Sequence, residues 1–354
     1  MPIQASPFSL PMSVSISTPF LYEDLLTPRF YTTDIAKAAL ADLSEQRQCF
    51  EAMLQEMERD YNRDHFDRRA NLDRLAELTP KERQAYGSYL VRSCVSEFSG
   101  FLLFKELSQR LVLKGRNELS RLFNLMARDE ARHAGFLNRA LLSEGIAIDL
   151  PSLSAKRAIT WNPLSWVLYS VYLSEKIGYW RYILIDRHLK ANPAHTFTSL
   201  VGFFEPWCQD ENRHGDILNM LIRCWPGLRS GWRGCLLSRF FLWSVFLTHS
   251  LTVGERREFY SLLGLEPSRF DEEVIRQTNR TAKRAFPAVF ALEGGEFFGL
   301  RDQIVATLGA LQTRQPQKPV PIRLLHDLAL RSRLVGLLIR QFCQPMVTTQ
   351  PHIA

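Results

Sequence analysis

One five-residue phrase occurs twice in this chain: Asp129-Glu130-Ala131-Arg132-His133, and again Asp210-Glu211-Asn212-Arg213-His214. In each copy a Glu and a His stand three residues apart. On a helix that spacing puts both side chains on one face, close enough to hold one metal ion. Two copies imply two ions. An earlier pair of segments repeats as well, Ser96-Glu97-Phe98-Ser99-Gly100-Phe101 and Ser174-Glu175-Lys176-Ile177-Gly178-Tyr179. The order along the chain is therefore Glu97, then Glu130 and His133, then Glu175, then Glu211 and His214, at nearly equal intervals in the two halves. A four-helix bundle that takes one Glu from each of two helices and a Glu-x-x-His from each of the other two carries the ligand set of di-iron and di-manganese carboxylate proteins. The expected fold is thus all-α, a ferritin-like four-helix bundle with duplicated helix pairs and additional N- and C-terminal helices.

Chemistry explains the residue types. Two cations need hard anionic oxygens to offset their charge and imidazoles to complete each shell, with positions left open for dioxygen. Glu130 and Glu211 are the natural bridging pair, and Glu97 and Glu175 the terminal or shifting ligands. Metal-bound imidazoles usually give their other N–H to a carboxylate. Asp129 and Asp210 are placed to accept it, each from the histidine of the opposite copy, with Arg132 and Arg213 compensating their charge. A single Asp-Glu-x-Arg-His would read as a solvated helix face with a salt bridge. The remaining histidines, and the run Asp60-Tyr61-Asn62-Arg63-Asp64-His65, lack such context, and the run reads as a polar helix end.

Around the bundle the punctuation is legible. A long amphipathic helix is expected from Thr33 to about Phe66, with Asp34 as its cap. Thr79-Pro80-Lys81-Glu82 starts the first ligand helix, which runs through Glu97 to about Leu113. The second spans about Glu118 to Glu144 and ends at Gly145. A crossover over 146–161 leads to the third, from Asn162-Pro163 to about Lys190. The fourth covers about Thr196 to Cys224, with Pro206 either kinking it or marking its true start. Residues 231–253 are strongly apolar but carry Arg233, Arg239 and His249, which suits a buried or membrane-surface helix better than a span. Helical patterns follow at 254–264, 267–282 and 296–313. The expected divisions are a flexible arm (1–26), an N-terminal helical segment (27–79), the di-iron bundle (80–228), a helical extension (229–313), and a linker with a terminal amphipathic helix (314–354). That last helix, with Leu324, Leu325 and Leu328 beside Arg331 and Arg333, could lie on an anionic bilayer or dock on the bundle.

Composition narrows the classes. With 354 residues, 46% hydrophobic and 23% charged, the chain is large enough to bury charged ligands in a core. The 23 Phe, 10 Tyr and 7 Trp first of all pack a core, and they also suit a flat apolar ligand. A net charge of +7 spread among acidic residues, with no dense basic tract, excludes a nucleic-acid binder and fits an acidic protein partner or a membrane surface. The six cysteines show neither CxxC nor disulfide-like spacing and read as reduced thiols. Cys94 and Cys208, each three residues before a Glu ligand, are expected as buried filler. There is no secretory-signal pattern. Without a Rossmann glycine fingerprint or an iron–sulfur cysteine cluster, electrons must come from outside.

The segments TPRFYTTD (27–34), DYNRDHF (60–66), SEFSGFLLFKEL (96–107), RDEARHAGFLNRAL (128–141), YLSEKIGYWRYI (172–183), WCQDENRHGD (207–216) and TNRTAKRAFP (278–287) make the chain similar to one family. It resembles the aerobic magnesium-protoporphyrin IX monomethyl ester oxidative cyclases of chlorophyll and bacteriochlorophyll synthesis, over roughly residues 27 to 290. The resemblance implies a monooxygenase-type enzyme that closes the isocyclic ring on a magnesium porphyrin at a di-iron centre. It implies O2 as oxidant and electrons originating in NADPH, delivered by ferredoxin or another acidic donor. It leaves room for an auxiliary cyclase subunit and peripheral membrane association. The expected location is the cytoplasmic face of thylakoid or intracytoplasmic membranes, or the stromal side in a plastid. From the ligand residues alone, a ferritin-like iron-storage protein, a di-iron hydroxylase or desaturase of another apolar substrate, and a catalytically silent scaffold stay open.

Overall fold

The computed structural model describes residues 30–66, 78–143, 145–146, 148–155, 159–228, 230–312 and 320–349. The expected flexible arm (1–26) and nearly all of the linker before the last helix lie outside these residues.

Among the described residues twelve α-helices follow in order: α1 (Ile35–Ala39), α2 (Arg47–Arg59), α3 (Pro80–Val112), α4 (Asn117–Ser143), α5 (Leu150–Ala155), α6 (Leu164–Ala191), α7 (Phe204–Arg223), α8 (Gly231–Glu255), α9 (Arg257–Leu262), α10 (Pro267–Ala282), α11 (Glu296–Gln312) and α12 (Val320–Phe342). Two minimal sheets complete the chain. β1 (Tyr31–Thr32) pairs in parallel with β2 (Thr160–Trp161), and β3 (Ala288–Phe290) pairs antiparallel with β4 (Met346–Thr348). The class is all-α, as expected.

The bundle is α3 packed on α4 and α6 packed on α7, with α4 meeting α7 across the middle. Its first helix starts where the sequence places it. Thr79 accepts from Glu82 N–H while the Glu82 carboxylate accepts from Thr79 N–H, a reciprocal cap of the kind that stabilises a helix by roughly 1 kcal/mol. Gly115 and Gly145 sit at φ +70° and +76°, the left-handed turns that end α3 and α4. The centre is filled by fully buried side chains, among them Leu90, Phe104, Met126, Leu173 and Leu221.

Two expectations are revised and one alternative is decided. The single helix over Thr33–Phe66 is two. Asp34 caps the short α1, residues 40–46 form turns in which the Asp42 side chain accepts from Ser44 N–H, and α2 ends at Asp60 in the left-handed conformation. The chain must turn there to lay α2 across α4 and α7, and that tertiary requirement leaves no trace in hydrophobic periodicity. The crossover after α4 holds a short helix, α5. Pro206 lies in the first turn of α7, after a 3-10 turn over Ser199–Phe203, so it marks the true start, where a missing N–H costs nothing.

Beyond the bundle, α8 is the one helix among the described residues long and apolar enough to cross a membrane. It packs against α6, α10, α11 and α12, and buried His249 and Ser250 on it bond Asp271 of α10. Helix α12 docks on α11 through Leu334, Leu337 and Leu338 against Leu300 and Ile304. Its opposite face leaves Leu324, Leu325 and Leu328 more than 60% exposed.

Candidate metal centre

Each helix of the bundle delivers its acidic residue to one buried place. Glu97 comes from α3, Glu130 and His133 from α4, Glu175 from α6, and Glu211 and His214 from α7, all buried and both histidines fully so. Two groups form. In one, ligand atoms of Glu97, Glu130, His133 and Glu211 lie within 4.8 Å of one another, and in the other those of Glu130, Glu175 and His214 do. Glu130 belongs to both.

The two groups mirror each other. His133 Nδ1 faces Glu97 Oε2 at 3.3 Å and Glu211 Oε1 at 3.7 Å. His214 Nδ1 faces Glu130 Oε1 at 3.1 Å and Glu175 Oε2 at 3.4 Å. On the far side of each ring stands the aspartate of the other half, Asp210 Oδ2 at 3.0 Å from His133 Nε2 and Asp129 Oδ2 at 3.5 Å from His214 Nε2. The second contact is too long for a good hydrogen bond, and His214 Nε2 has no hydrogen-bond partner among the described residues.

The arginines divide unevenly. Arg213 pairs with Asp210. Arg132 lies 3.8 Å from Asp129 but hydrogen-bonds Asp60 at 2.9 Å, and it is Arg128 that donates to Asp129, at 2.9 Å. Asn62 donates to both Asp210 Oδ1 and the Pro206 carbonyl. The run after Asp60 is therefore a helix end, as its composition implied, that also braces the outer side of the centre. Trp207 and Tyr182 went unassigned from sequence. Trp207 Nε1 donates to Glu211 Oε1 at 2.8 Å, and Tyr182 OH reaches Glu97 Oε1 at 3.4 Å. The fourfold spacing Trp207–Glu211 on one helix face was the available signal.

Two glycines make the space. A Cβ on Gly100 would lie 2.7 Å from Glu130 Oε2, and one on Gly178 3.0 Å from Glu211 Oε2. The repeated Glu-x-x-Gly of α3 and α6 thus supplies a carboxylate and, one turn on, a gap for the carboxylate of the neighbouring helix.

Electrostatics show what the cluster lacks. Burial, then the charges of Glu175 and Glu97, push Glu130 up to about 8, and burial with the other three carboxylates puts Glu211 well above the usual range. Burial opposes charging His133, yet Asp210 and Glu97 hold it up to about 10, and Asp129, Glu130 and Glu175 raise His214 against the same opposition. Burial works against Asp129 and Asp210 too, but the charge of His214 beside Asp129 and the hydrogen bond of His133 to Asp210 lower both. Four facing carboxylates that must share protons, with Glu175 Oε2 lacking any hydrogen-bond partner, are what a site for cations looks like without its charge. Hard oxygens with two imidazole nitrogens on one side fit iron. Cys94 and Cys208 do not join in. Burial raises both thiols, Cys94 to about 12, and each points at a backbone carbonyl.

The histidine side of the centre is closed by aromatics, Trp207 over His133 and Phe104 against His214. The carboxylate side is open. A cavity of about 530 Å³ between α3, α6 and α8 is walled by all four glutamates, by Tyr31 and Phe241, and by Arg92, Arg181 and Arg256.

A rubrerythrin family model matches residues 88–222, the stretch that carries all six buried Glu and His residues. Over 331 residues the chain is 61% identical to a magnesium-protoporphyrin IX monomethyl ester [oxidative] cyclase of Prochlorococcus marinus, covering 94% of this chain and 93% of that one. It is 53% identical to cyclase 2 of Thermosynechococcus vestitus, with 93% of each covered, and 52% identical to cyclase 2 of a Synechocystis species, over 78% of this chain and 77% of that one. No solved structure matches.

Proposed function

This chain belongs to the magnesium-protoporphyrin IX monomethyl ester oxidative cyclase family, and on that premise we propose that it catalyses oxygen-dependent closure of the isocyclic ring. The methylpropionate side chain of magnesium-protoporphyrin IX 13-monomethyl ester is hydroxylated, oxidised to a ketone and joined to the adjacent meso carbon, giving 3,8-divinylprotochlorophyllide a. Glu97, Glu130, His133, Glu175, Glu211 and His214 hold two irons, with each histidine ligating through Nδ1. Those irons supply activation of O2.

The observation that carries this reading is the cavity. Its volume is of the size that small-molecule sites have, roughly 300–1,000 Å³, and its wall contains the four glutamates themselves. A flat macrocycle entering between α3 and α6 meets the carboxylate face directly, while Trp207, Phe104 and the aspartates keep water and substrate from the histidine face. Iron storage requires no such chamber. Asp210 and Asp129 stand behind each Nε2, where their charge favours the N–H, and so leave Nδ1 free to ligate.

Electrons from NADPH arrive through ferredoxin or another acidic carrier docked on the basic surface. An auxiliary subunit acts beside it. The exposed leucines of α12, with Arg331 and Arg333, rest on the anionic cytoplasmic face of a photosynthetic membrane.

The test is turnover of the monomethyl ester by iron-loaded protein with O2, ferredoxin, its reductase and NADPH, while irons are counted. Divinylprotochlorophyllide at two irons per chain is the expected result. Porphyrin that never binds, at two irons per chain, would sink the reading and leave iron storage or another hydroxylase substrate.

A further inference from the structure

Two arginines of the cavity wall take part in no ion pair among the described residues, although the charge of Glu97 reaches Arg181. The buried Nε–H groups of Arg92, Arg181 and Arg256 lack hydrogen-bond partners. Arg92 is paired with Glu255 through its Nη1. Arg181 and Arg256 have neither an ion pair nor a side-chain hydrogen bond among the described residues. They stack instead on aromatic rings, Arg181 4.7 Å from the Tyr182 centroid and Arg256 5.5 Å from that of Tyr89. The buried hydroxyls of Tyr89 and Tyr260, also without partners, are close enough to both guanidiniums to feel their charge. Elsewhere the protein treats buried cations differently, since Arg301 is satisfied by Asp271, Asp302 and Ser268.

A half-buried guanidinium with only a ring face for company is a ready partner for an anion that enters the cavity. Both of these open onto the same cavity as the glutamates. Arg181 stands six residues beyond Glu175 on α6 and Arg92 five before Glu97 on α3, so the basic end lies roughly 7–9 Å along the helices from the carboxylates.

We propose that Arg181 and Arg256 bind the free carboxylate of the substrate, with Arg92 and the Tyr89 and Tyr260 hydroxyls beside them, and so select a porphyrin monoester over the diester. This rests on the substrate read above. A monomethyl ester of a dicarboxylic porphyrin keeps one propionate ionised. The two propionates flank the same meso bridge of the macrocycle, so anchoring the free one at the arginine end turns the esterified one and that meso carbon toward the glutamates. The arginines are positioning residues. They choose which edge of a nearly symmetric disc faces the irons.

The experiment compares binding of magnesium-protoporphyrin IX monomethyl ester and its dimethyl ester to full-length iron-loaded protein, by quenching of tryptophan fluorescence and by the porphyrin absorption band, without electron donor. The monoester is expected to bind about ten- to a hundredfold more tightly, the range for a charge-assisted contact. In Arg181→Gln and Arg256→Gln that ratio falls toward one while iron content and helicity hold, and Arg256→Lys recovers part of it. Should the unmodified protein bind both esters equally, or the Gln variants keep its ratio, the arginine assignment is wrong and the substrate stands. Binding of neither ester overturns the substrate reading, and this inference with it. If one Gln variant fails to fold, the other and the ester ratio of the unmodified protein still decide.

Discussion

Asp210 of α7 holds His133 of α4, 3.0 Å from its Nε2, and Asp129 of α4 stands behind His214 of α7. Each half of the duplicated bundle therefore orients the imidazole of the other. Replacing Asp210 with Asn keeps the shape but removes the charge that favours an N–H on Nε2. Iron affinity is expected to fall by about 10–100-fold, the usual cost of losing such a partner, with the iron titration of Asp210→Asn against the unmodified protein as the measurement. Asp129→Asn should cost less, because its contact is longer.

His214→Ala should leave the group of Glu97, Glu130, His133 and Glu211 with its ligands and deprive the other group of its only nitrogen. Iron per chain is expected to drop from two to one or fewer, and turnover to vanish. Full turnover at two irons per chain in this variant would remove His214 from the ligand set.

Gly100→Ala separates the site from the fold. The new methyl meets the Glu130 side chain, at 2.7 Å from Oε2, and the buried carboxylate must shift, at a cost of about 1–3 kcal/mol. Glu130 is shared by both groups, so iron binding should suffer far more than the melting temperature. Gly178→Ala, at 3.0 Å from Glu211, should show a milder form of the same split.

The metal-free protein should lose stability as pH rises. Glu130 keeps its proton to about 8 and His133 to about 10 when folded, both above their unfolded values, so the folded state binds more protons between those limits and is disfavoured as pH climbs from about 4.5 through 10. Asp129 and Asp210, lowered by the histidines, contribute in the other sense, with stability lost as pH falls through their folded values. Iron displaces the protons, and its affinity should therefore rise with pH. Melting curves of apo and iron-loaded protein from pH 5 to 9 should diverge, the apo curve falling.

Leu325→Glu and Leu328→Glu on α12 leave its contacts with α11 intact and place charge on the exposed face. Sedimentation with vesicles rich in anionic lipid should fall severalfold, and binding in both variants equal to that of the unmodified protein would remove the membrane face.

How much of this was legible in the chain depends on distance along it. The six buried Glu and His residues follow from spacings of three on single helices, and the repeat supplied the partner for each, because helix geometry is local. Thr79, Gly115 and Gly145 marked ends for the same reason. What the sequence hid depends on packing between distant elements. Arg128 joins Arg132 at Asp129, with the shorter contact, because Asp60, at its left-handed backbone, takes the Arg132 hydrogen bonds. Asn62 reaches Asp210 across the fold. Arg181 and Arg256 carry no local signal, because it is the packing of α8 beside α3 and α6 that brings them to one cavity.

The crossed aspartates carry a consequence for ancestry. A lone helix pair such as α3–α4 would own a Glu, a Glu-x-x-His and an Asp, yet its histidine would lack a brace and its carboxylates a second wall. Such a half-length forebear could have worked only as a two-fold homodimer, each copy bracing the other's imidazole. With both copies in one polypeptide the halves need not match, and the guanidiniums gathered at one end of the chamber are where the two-fold pattern is broken.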